Sequence, residues 1–163
     1  MTQPLLALVL LVSSVTPALA GIADSPLPVL EAGKTTLHLY SVPGVIGNAG
    51  GLRTYFSCTS TDTATMQVGV ELFGDSGGAP ANDAAATSLS FPAGATRMFG
   101  TGSVAGLSIS SNLGGGFANG SARILAISKK LACTAFVADA GDAPPTSMVQ
   151  LTIIAKLKQK AAN

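Results

Sequence analysis

The sequence predicts an all-β chain folded as an antiparallel β-sandwich, and three observations lead there. Apolar and polar residues alternate with period two in run after run. Clusters of Gly, Pro, Asn and Asp punctuate those runs at short intervals. After Val12, no stretch keeps a helical period for long.

Taken along the chain, the first strand is expected near Thr36–Val42 and is closed by Gly44, Gly47, Gly50 and Gly51. In the next, Leu52, Thr54, Phe56 and Cys58 share the inward face, with Arg53, Tyr55, Ser57 and Thr59 opposite. Met66, Val68, Val70 and Leu72 alternate with Gln67, Gly69 and Glu71, and Gly74, Gly77, Gly78 and Pro80 end that run. Pro92-Ala93-Gly94 separates Ser88–Phe91 from Thr96–Gly100. Gly100–Gly120 reads as a long Gly/Ser-rich loop, with a short strand at Ser108–Ser110, and loops of that length are usually functional or mobile. Ser128-Lys129-Lys130 links Arg123–Ile127 to Leu131–Ala138 as a hairpin, and Leu131, Cys133, Ala135 and Val137 face inward. Gly141 to Pro145 leads into Val149–Leu157, where Val149, Leu151, Ile153, Ala155 and Leu157 face in and Ile154 is the apolar exception facing out. One apolar and one polar face per strand is the pattern of half-buried antiparallel sheets.

About eight short strands with turn signals between them resemble an immunoglobulin-like sandwich in architecture. The core Trp of true immunoglobulin domains is missing, since the chain has no Trp, so the resemblance carries no function. Residues 35–163 are read as one sandwich domain, preceded by an extended arm over 21–34 whose Pro26 and Pro28 favour extended backbone. Leu27, Val29 and Leu30 give that arm apolar anchors for docking on a sheet edge, its own or a neighbour's.

Residues 1–20 read as a cleaved secretory signal: the apolar run Leu5–Val12 is followed by small residues and the triplet Ala18-Leu19-Ala20. The run is far shorter than the about 20 residues that cross a bilayer. The expected location is therefore outside the cytoplasm, extracellular or periplasmic, and not membrane-spanning. Cys58 and Cys133 are the only cysteines, and an even count in an exported chain predicts one disulfide. In the chain-entropy model closing that loop stabilises by roughly 4 kcal/mol. Charged residues make up 10% of the chain and the net charge is +1. Such a balance gives no electrostatic reason to bind nucleic acid.

Gly74-Asp75-Ser76-Gly77-Gly78 resembles the nucleophile segment of trypsin-like serine proteases. That chemistry needs a His to take the Ser proton and a buried Asp to orient the His. His38 is the single histidine; it sits in a strand pattern, and the segment between it and Ser76 is too short for the rest of that machinery. A Gly-rich turn with Asp75 as its hydrogen-bonding residue explains the same letters. Asp75, Asp83, Asp139 and Asp142 fall in loops without the spacing of a calcium loop, and Asx turns account for them. Asn119-Gly120-Ser121 fits the N-glycosylation pattern. Tyr40 and Tyr55 are the only tyrosines, a thin platform for stacking sugars. Lys156, Lys158 and Lys160 share one strand face, as a charged edge that resists aberrant pairing or as a small contact for anions.

No catalytic, metal-binding or cofactor-binding residues are assigned. The expectation is a secreted, non-enzymatic β-sandwich with a structural, adhesive or surface-assembly role, its partner being itself or another surface protein. A small ligand-binding or carbohydrate-binding module using Gly100–Gly120 is the alternative, and a serine hydrolase around Ser76 comes third.

Overall fold

A computed structural model describes residues 21–142 and 144–156. The expected signal segment, Leu157, Lys158 and Lys160 lie outside the described residues. Ten strands form, with no helix among the described residues: β1 (Leu37–Val45), β2 (Leu52–Ser60), β3 (Met66–Gly74), β4 (Leu89–Phe91), β5 (Thr96–Gly100), β6 (Ser111–Asn112), β7 (Gly120–Ala126), β8 (Leu131–Asp139), β9 (Met148–Leu151) and β10 (Ile154–Ala155). They make two five-stranded sheets. The first, sheet A, runs β10-β1-β7-β3-β4, and the second, sheet B, runs β6-β5-β2-β8-β9. The pairings are antiparallel except β5 with β6.

The inward faces meet in one apolar core. Val68, Val70, Leu72, Ile124 and Val42 from sheet A pack with Phe56, Phe99, Leu131 and Ala135 from sheet B. Phe91 stacks on Phe99 with ring centroids 6.2 Å apart. Cys58 and Cys133 are bonded directly opposite each other on β2 and β8, with Cα atoms 4.1 Å apart. The disulfide therefore staples two neighbouring strands of one sheet. At one end of the core the hydroxyls of Thr54 and Thr101 both donate to the Ile46 carbonyl, each at 3.0 Å, and the Ile46 amide donates to Thr54 Oγ1 at 2.8 Å. Those contacts satisfy backbone groups of the β1–β2 connection that no strand partner reaches.

β1 runs on through Gly44 to Val45 rather than being closed there, and three further elements depart from the sequence expectation. The last run is not one strand over Val149–Leu157: it breaks at Thr152-Ile153 and changes sheets, β9 closing sheet B and β10 closing sheet A. Val149 and Ala155 are consequently exposed rather than inward, because a segment at the rim of both sheets has little left to pack against. The short strand in the long loop is Ser111–Asn112 rather than Ser108–Ser110. The loop itself is knitted into the fold: Leu113 enters the core, and the Phe117 carbonyl accepts from the amides of Gly47 and Asn48.

The last departure is the N-terminal segment. Residues 21–36 form no strand and lie across the outer face of sheet A instead of along an edge. Arg123, buried on β7, pairs with the buried Glu71 of β3. Its guanidinium also donates to the carbonyls of Ser25 (2.9 Å), Pro26 (3.0 Å) and Ile22 (3.3 Å) and lies over the Phe73 ring. Further along, Leu30 packs with Ala84 and Leu125. Gly69 makes room for it: a Cβ there would stand 2.9 Å from Leu30 Cδ2 and 3.0 Å from the Ala84 carbonyl oxygen.

Candidate functional site

Among the described residues, a trough of about 920 Å³ lies between the N-terminal arm and the β1/β10 side of sheet A. Its walls are largely apolar, with Ile22 and Leu27 from the arm and Leu37 and Leu39 from β1, while Lys129 and Lys156 bring positive charge and His38 sits in the floor. A β-bulge shapes that floor. His38 pairs with Leu125 and Tyr40 with Ile124, so Leu39 is the extra residue. The bulge breaks the alternation and turns both His38 and Ser41 to the outer face.

His38 Nε2 lies 3.0 Å from Ser41 Oγ and 3.2 Å from the Tyr40 carbonyl oxygen. A carbonyl can only accept, so Nε2 carries the hydrogen and Ser41 Oγ accepts from it. In that tautomer His38 takes no proton from Ser41 and does not activate it as a nucleophile. Burial lowers the His38 pKa below its usual value, with the positive charges of Lys156 and Arg123 acting the same way and the Tyr40 carbonyl opposing them.

Ser76 occupies an exposed turn after β3, closed by the Gly77 amide on the Gly74 carbonyl at 3.1 Å. The structure thus commits His38 to Ser41 and Tyr40 and leaves Ser76 in a surface turn. Asp83 Oδ1 accepts from the amides of Ala85 and Ala86, an Asx-type turn. Asp139 and Asp142 both accept from Thr146 Oγ1 at 3.1 Å, and Asp139 also takes the Ser147 amide. No group of three metal-ligating side chains occurs among the described residues. Asn119 is exposed immediately before β7.

Neither tyrosine is an exposed platform. Tyr40 is half-buried against the core and donates to the Leu131 carbonyl. Tyr55 does point away from the core, as expected, yet it is fully buried because residues of the Gly100–Gly120 segment cover it. Val104, Leu107 and Ile109 surround it with Phe136, on which it stacks at 5.4 Å. Its hydroxyl has no hydrogen-bond partner among the described residues, and burial raises its pKa against the opposing charge of Arg53.

The sequence reading missed Arg123 and Glu71 as a buried pair. A signal was present: Arg123 stands within Ala122–Ala126, a run otherwise free of polar side chains. A charge in such a run is tolerated when a partner is buried with it.

Among the described residues, one rim carries exposed apolar side chains on a sheet edge. The segment Met148–Ala155 supplies the edge strand of both sheets, and Met148, Val149 and Ile154 there are 54%, 65% and 52% exposed. No helix among the described residues is long and apolar enough to cross a membrane. Comparison with family models, curated proteins and solved structures finds no match.

Proposed function

We infer that the protein is a secreted, non-enzymatic structural module that assembles with further copies of itself through the Met148–Ala155 rim. One observation carries this reading: a single exposed, apolar segment ends both sheets on the same side. Sheet edges present unpaired N–H and C=O groups, and monomeric proteins usually blunt them with charge, proline or a covering loop. Here β9 carries Met148, Val149, Gln150 and Leu151, and Lys156 comes only after β10. Pairing of two such edges about a two-fold axis would satisfy the backbone and cover the apolar side chains together. The low proportion of charge weakens the repulsion that keeps copies apart. The disulfide is in keeping with an oxidising compartment.

Light scattering on the chain beginning at Gly21, over a concentration series, tests the reading. The expected result is mass rising above that of one chain, with Val149→Lys returning it to the monomer. A chain that stays monomeric throughout would overturn it.

A further inference from the structure

The trough on sheet A is separate from the assembly rim in its chemistry. Its apolar walls come from two elements of different origin, the arm and β1, held together by the Arg123 clamp. Lys129, from the β7–β8 link, and Lys156, just after β10, both line it, and no acidic side chain does. Neither lysine forms an ion pair among the described residues, whereas the neighbouring Lys130 pairs with Asp62. Ligand sites of this kind are typically concave, mostly apolar and about 300–1,000 Å³, with a few polar groups fixing orientation. An apolar trench with cations and no anion is complementary to a molecule that carries an apolar body and one negative group. The chain's own C-terminal residues fit less well, since Lys158 and Lys160 would bring like charge to Lys129 and Lys156.

We propose that this trough binds a single-chain amphiphile with an acidic headgroup, a fatty-acid-like carboxylate. Its carboxylate is met by Lys129 and Lys156, and its chain lies along Ile22, Leu27, Leu37 and Leu39. The trough borders the assembly rim at Ala155 of β10, so binding is measured at a concentration where the chain is monomeric, which keeps a failure to bind distinct from a failure to assemble. His38 in the floor is a built-in reporter, being the single histidine.

The test is titration of the disulfide-bonded chain from Gly21 to Asn163 with laurate, following the His38 imidazole signals by NMR and affinity by calorimetry. Saturable binding of one laurate per chain with a shift of the His38 signals is expected. Lys129→Glu combined with Lys156→Glu, both at exposed positions, should weaken binding by about tenfold or more, the scale of two lost ion pairs. Lys130→Glu should leave it within about twofold, since a charge outside the trough contributes little. Dodecylamine, with the same tail and opposite charge, should bind far more weakly than laurate. Failure of laurate to bind, equal binding of the amine, or an unchanged affinity in the double variant would each overturn the proposal. So would a tenfold gain on removing residues 158–163, which would make the C-terminal tail the natural occupant.

Discussion

The two sheets have their outer faces covered by opposite means. Over sheet A the cover is the arm, and what holds its first residues is polar, one buried guanidinium reaching three backbone carbonyls while neutralised by Glu71, with Leu30 as an apolar anchor further along. Over sheet B the cover is the 101–110 segment, and what holds it is apolar: Val104, Leu107 and Ile109 around Tyr55 and Phe136. A polar clamp is directional and concentrates its energy in one side chain, so it fixes the arm in one register and fails when that side chain is removed. An apolar seal is spread over many contacts and tolerates the loss of any polar atom within it, to the point of leaving a buried tyrosine hydroxyl without a partner.

The largest effect should follow from Arg123→Met. It leaves Glu71 buried without its counter-ion, a situation that destabilises by about 3–5 kcal/mol. Urea denaturation should show that loss, and limited proteolysis should cut the freed arm. Adding Glu71→Leu should recover much of the stability without restoring protection of the arm, which would separate the ion pair from the carbonyl clamp. If the single variant loses under about 1 kcal/mol, a polar clamp on this face is the wrong description.

Gly69→Val acts on the same cover from its apolar end. The added side chain collides with Leu30 and the Ala84 carbonyl, and overpacking of this kind costs about 1–3 kcal/mol. Faster cleavage near Leu30, with the core intact by near-ultraviolet dichroism, is the expected signature. No change in either measurement would mean that Leu30 does not anchor the arm.

On sheet B the counterpart is Tyr55→Phe. A buried hydroxyl without a partner is costly to keep dry, so its removal should be neutral or stabilise by up to about 1 kcal/mol in the same urea assay. A loss of stability larger than that would show that the hydroxyl has a partner after all, and the contrast between the two faces would narrow.

These contrasts were only partly legible in the sequence. The strands with one face on the core were legible, because period two reports that directly: β2, β3 and β8 fall where Phe56, Val70 and Ala135 place them. Period two says nothing of what covers the other face. Period two places Tyr55 and Glu71 outward, which is correct for direction, while their burial depends on segments far along the chain. The bulge at Leu39 was invisible, since one extra residue shifts only the register and leaves no mark in the composition of the run. The last run misled most. Its alternation is regular, yet the chain changes sheets at Thr152-Ile153, and a rim segment meets no opposing face that would make the pattern informative.

The smallest effect concerns His38, which lies beneath the arm and feels the clamp through Arg123. Its folded-state pKa is below the usual value near 6.5, so the unfolded chain takes up the proton more readily. Stability from this group is fully present above about pH 6.5 and is lost as pH falls from there toward the folded-state value. An NMR titration of the single imidazole should give a midpoint below 6.5, and Lys156→Gln should move it upward. A midpoint at or above 6.5 would place the ring in solvent.

The Met148–Ala155 rim is the surface proposed for assembly, and amide hydrogen exchange at low and high protein concentration tests that claim most directly. Added protection confined to Met148–Ala155 at high concentration is the predicted result, with the arm and the 101–110 segment unchanged. Protection gained in either cover, or exchange of Met148–Ala155 that does not depend on concentration, would contradict it.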